Sequence, residues 1–256
     1  MLVIRTEQME VFRQAALASF EIEMVAHSQE FSPKLSKVIG EDQLRLAVRG
    51  AITRAGNYGF SNRGPIRLFI EMMFLFGSAF DSDPQYPWAG YILQDSAPQM
   101  QRAERLYEKV IDYQDKVSGP DGVNTREALR HLMYLAQQPL IFTAKDFIPS
   151  MLREMANVFP QKAAYVGEEA LAALIRESCA VAKWARFPTS RSYALMAMLM
   201  FVIGHGCADD PFYPWIADTM KDENISEPSI RAARLEKQIL AWLDQALATT
   251  PEGVRA

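Results

Sequence analysis

Cysteine is nearly absent from this sequence: Cys179 and Cys207 are the only two in 256 residues. That count excludes a disulfide scaffold, and two thiols cannot by themselves build a structural zinc site. Long apolar runs are also missing. The longest, Tyr193 to Gly204, is too short to cross about 30 Å of bilayer hydrocarbon and reads as a buried central helix. Neither charge dominates: 27 basic against 31 acidic residues leave a net charge of −4. Such a balance carries no electrostatic footprint for nucleic acid and no polybasic patch for a membrane surface. Met1 to Glu10 lack the basic start and apolar stretch of an export signal, which predicts a cytoplasmic protein with free thiols. A glycine-rich phosphate loop, Gly-x-Ser-x-Gly, His-Glu-x-x-His and Cys-x-x-Cys are all lacking.

What is present is an ordinary globular composition, 49% apolar and 23% charged. It excludes disorder, collagen and coiled coil, and the length allows one large domain or two small ones. The informative feature is a repeat. Sliding the chain by 127 residues aligns 20–95 with 147–222 without gaps and matches 19 of 76 positions. The densest stretch sets Asp83-Pro84-Gln85-Tyr86-Pro87-Trp88 against Asp210-Pro211-Phe212-Tyr213-Pro214-Trp215. A shift of 129 then pairs Arg102-Ala-Glu-Arg-Leu106 with Arg231-Ala-Ala-Arg-Leu235. A gap-free match of this extent, with tryptophan and proline retained, points to duplication of one unit.

The periodicity within each copy is helical, with no strand-like alternation beyond three or four residues. Met9, Phe12, Ala16, Phe20 and Met24 form one apolar stripe of a long first helix that Thr6 would cap. Further helices are predicted near 41–56, 65–76 and 97–117, with a short one after Pro87. In copy two they fall near 144–158, 168–185, 190–203, 213–221 and 227–248. Gly119-Pro120-Asp121-Gly122 breaks the chain, and a connecting helix from Asn124 ends before Pro139. The expected architecture is all-α, two tandem, pseudo-symmetric helical units: 1–118 and 143–256, with 119–142 as linker and connecting helix.

Several clusters invite a chemical reading. The repeated Asp-Pro-x-Tyr-Pro-Trp motif could line a pocket, but aspartate caps, proline fixes φ and the two aromatics bury large areas, so it reads as structural. His205, Cys207, Asp209 and Asp210 are the one place where His, Cys and carboxylates gather, a conceivable nucleophile or metal site. Copy one has Ser78, Phe80 and Ser82 at the matching positions, which favours local variation on a helix-ending turn. Glu23, His27 and Glu30 share a helix face, yet a metal site in a bundle needs ligands from several helices. They read as a solvated face. Arg49 and Arg176 suggest structural ion pairs near the helix-starting Glu41 and Glu168. Met72, Met73, Met196, Met198 and Met200 read as core gap-fillers that a groove between the units could expose as an adaptable surface. No cofactor, metal or catalytic residue is expected.

Three runs in copy one carry a resemblance: Arg54-Ala-Gly-Asn-Tyr-Gly59, Phe69 to Gly77, and Phe80-Asp-Ser-Asp-Pro-Gln-Tyr-Pro-Trp88. Over roughly residues 5–95 the chain resembles small all-helical bacterial proteins encoded beside spike and effector genes of type VI secretion systems. Copy two departs from the pattern, with Ala185-Arg186 in place of Tyr58-Gly59. The resemblance implies a toxin-associated accessory role and transfers no site. The expected function is that of a non-enzymatic, cytoplasmic protein that binds a secreted effector, as an immunity protein. The alternatives are an adaptor that loads the effector onto the spike, and an enzyme built on His205, Cys207 and Asp209.

Overall fold

The computed structural model describes residues 6–143 and 145–248, the side chains at 6, 7 and 10 excepted, so the Thr6 cap lies outside it. Among the described residues there are thirteen α-helices and no strand. The all-α expectation holds.

The first half runs α1 (Thr6–Phe31), α2 (Pro33–Ile39), α3 (Glu41–Asn57), α4 (Arg63–Phe76), α5 (Pro87–Gln94) and α6 (Gln99–Tyr113). A π-helical turn and a 3-10 turn over 114–122 lead into α7 (Val123–Gln137). The second half runs α8 (Phe147–Val158), α9 (Pro160–Val166), α10 (Glu168–Trp184), α11 (Ser190–Ile203), α12 (Pro214–Met220) and α13 (Pro228–Ala248). The helices α2, α3, α4 and α5 begin 127 residues before α9, α10, α11 and α12. The helices α2 and α9 fall between the segments whose periodicity predicts helix. Proline at their first position supplies a fixed φ without losing a hydrogen bond. Both end on glycines, Gly40 and Gly167, at φ +80° and +85°.

Packing explains the lengths. The helices α4 and α11 are the buried ones, and Met72, Met196, Met198 and Met200 in them are fully buried, as core fillers should be. They form no adaptable surface groove. Arg102 on α6 donates to Leu93 O in the last turn of α5 at 2.5 Å, and Arg231 on α13 donates to Asp222 O and Ile225 O beyond α12. Buried residues of both halves belong to one continuous cluster, so the core does not divide at Gly119-Pro120. Nor is 123–137 a free linker, because α7 packs along α13 and α8. The counterparts of those two helices, α6 and the second half of α1, carry no such cover.

The first helix departs most from its sequence pattern. Phe20 and Met24 are buried, but Met9 and Phe12, on the same stripe, are 55% and 64% exposed. Every described side chain from 8 to 19 is exposed.

Candidate functional site

The C-termini of α4 and α11 meet at the centre of the molecule. Each ends on a glycine in a conformation other residues strongly avoid, Gly77 at φ +93° and Gly204 at φ +130°. A Cβ on Gly77 would lie 2.5 Å from Ile203 O, and one on Gly204 would lie 2.7 Å from Phe76 O. The two backbones touch, and only glycine permits it.

The repeated Asp-Pro-x-Tyr-Pro-Trp motif completes this junction reciprocally. Asp83 Oδ2 accepts the backbone N–H of His205 at 2.8 Å, and Asp210 Oδ2 accepts that of Ser78 at 2.8 Å. Each aspartate also accepts an amide within its own turn, Asp83 from Gln85 at 2.8 Å and Asp210 from Phe212 at 2.9 Å. Both carboxyls are buried, which pushes their pKa values up, against the pull of the backbone hydrogen bonds. Pro87 and Pro214 start α5 and α12, after Pro84 and Pro211 have fixed the turns. Tyr86 and Trp88 pack on Phe76, whereas Tyr213 and Trp215 pack on Trp242. The motif's residues thus serve as internal clamps. The turns at 78–88 and 205–215 are held toward each other by these bonds.

The two sides of the junction are dressed differently. On one side Arg54 donates from Nε to Asp81 Oδ2 at 2.9 Å, from its NH2 group to Asp81 Oδ1, and from its NH1 group to Ser78 O at 2.6 Å. Tyr58 donates its hydroxyl to the same Asp81 Oδ2 at 2.7 Å, and burial with that carboxylate pushes its pKa up to about 12. Val181, Ala185 and Ala208 occupy the matching positions of the second half, where no such network can form.

On the other side His205 Nδ1 lies 2.9 Å from Glu177 Oε1, and its Nε2 lies 3.1 Å from Ser82 Oγ. Serine, histidine and glutamate in that order are the parts of a hydrolase triad. A triad requires Nε2 to take the serine proton, yet here the Ala79 carbonyl lies 3.2 Å from Nε2 and also accepts from Ser82 Oγ at 3.2 Å. His205 bridges Ala79 and Ser82 of one half to Glu177 of the other. Sequence reading had grouped His205 with Cys207 and Asp209 because they are adjacent. The structure separates them. The Cys207 thiol is fully buried and its pKa lies well above the usual value through burial, while Asp209 pairs with Lys221 at the surface.

A third feature had no sequence signal. Lys162 is buried, its Nζ donating to Phe201 O at 2.5 Å and lying over the rings of Phe201 and Tyr86. Burial lowers its pKa to about 8, with Asp83 opposing part of that effect. A lysine within an α-helix of seven residues reads as surface unless the neighbouring half of the molecule is in view.

The remaining sequence candidates are dispersed. Glu23 and Glu30 are exposed, Glu23 pairing with Arg63 at the surface, so that face of α1 is solvated except at His27, which pairs with Glu71 of α4. Arg49 pairs with Glu21, while Glu41 pairs with Arg45. Arg176, by contrast, is exposed without an ion pair among the described residues. Among the described residues, no group of three or more His, Cys, Asp or Glu is placed to hold a metal. None of their helices is long and apolar enough to cross a membrane.

No protein-family model, curated protein or solved structure matches the chain.

Proposed function

We propose that this chain is a duplicated helical protein that acts by binding another protein, and that it is an immunity protein neutralising a secreted type VI toxin in the producing cell. It works in the cytoplasm, without cofactor or chemistry of its own, and its two units are pseudo-symmetric copies about the Gly77–Gly204 contact. The reciprocal Asp83 and Asp210 bonds and the 127-residue spacing of the helices support the duplication.

The observation that carries the binding role is how the chemically capable side chains are engaged. Arg54, Tyr58, Asp81, Asp83, Asp210 and Lys162 are all committed to internal partners at the junction. A rigid centre of this kind leaves the outer helix faces to do the recognition. The neighbouring-gene product supplies the test. Co-expression should yield a stable complex and protect cells from the toxin. A toxin that is neither bound nor neutralised would refute immunity, and binding confined to a delivery domain, with secretion lost on deletion, would make the chain an adaptor.

One observation favours a second reading, an enzyme. Ser82, His205 and Glu177 stand in triad order at the surface. A fluorophosphonate probe should leave Ser82 unlabelled if the chain only binds. Labelling that His205→Ala abolishes would establish the hydrolase instead.

A further inference from the structure

We draw no further inference here: the strongest candidate, the exposed apolar patch of Met9, Val11, Phe12 and Leu17 on the N-terminal half of α1, carries nothing because nothing in the structure shows what covers it.

Discussion

The two halves of this molecule use the same helices in the same order, yet they finish differently. The first half keeps a close-knit Arg54–Asp81–Tyr58 network at the junction and leaves its outer helices uncovered. The second half has alanine and valine at those three positions, and it gains a covering helix, a buried lysine and a histidine bridge. What they share most closely lies at the place where they touch. Gly77 and Gly204, Asp83 and Asp210 have matched roles because each half supplies the other's partner, so a change on one side is felt on both. Away from the junction the halves carry different contacts on equivalent helices.

The shared part yields the largest expected effects. Gly77→Ala and Gly204→Ala should each cost more than about 4 kcal/mol, since each places a Cβ against the other half's backbone at a positive φ. Urea denaturation should show losses of similar size. A mild effect at one glycine and a severe one at the other would break the equivalence.

Lys162 probes the part that is unique to the second half. Its pKa falls from 10.5 to about 8 on folding. Between those values the unfolded chain binds a proton that the folded chain does not, so stability should rise with pH across about 8 to 10.5. The gain is on the order of 3 kcal/mol. Lys162→Met should flatten that rise in unfolding curves measured across the same pH range. A profile unchanged by the substitution would remove the buried charge from the account.

Asp83→Ala and Asp210→Ala should each cost about 2–3 kcal/mol, because each leaves two buried amides without an acceptor. The double variant should lose less than the sum, since the two bonds hold the same contact. Strict additivity in chemical denaturation would argue that the turns act independently.

The smallest effect belongs to a backbone difference. Gly59 and Arg186 close equivalent helices at φ +73° and +58°. Arg186→Gly should stabilise by roughly 1 kcal/mol by relieving a left-handed non-glycine residue, and Gly59→Ala should destabilise by about the same. Thermal unfolding of the pair would show whether both ends are under the same backbone constraint.

Much of the fold was legible because it rests on local rules. The periodicity of α3 and α10 gave their starts at Glu41 and Glu168, and the continuous apolar character of α11 gave its burial. The short helices α2 and α9 were not visible, since seven residues after a proline look the same whether they turn once or twice. The stripe of α1 was read correctly as a pattern, but a pattern does not say whether anything covers it. At the junction the aspartates read from sequence as helix caps, whereas Tyr86 and Tyr213 hold the cap positions and the aspartates accept amides of their own turn and of the other half. The Ser82–His205–Glu177 set was hidden altogether, because its members lie on three separate segments of the chain.

The sequence by itself determined that this protein is helical, where its two buried helices lie, and that one pattern occurs twice at a 127-residue offset. These follow from side-chain periodicity, proline and glycine, which act on neighbours three or four residues away. Only the tertiary structure decided that the repeated motif is a reciprocal clamp, that Lys162 is buried, and that Met9 and Phe12 of the α1 stripe are exposed. Each of those depends on which surface arrives opposite. The aspartate bonds close between residues 122 and 132 positions apart, and no local rule specifies the acceptor for an amide at that distance.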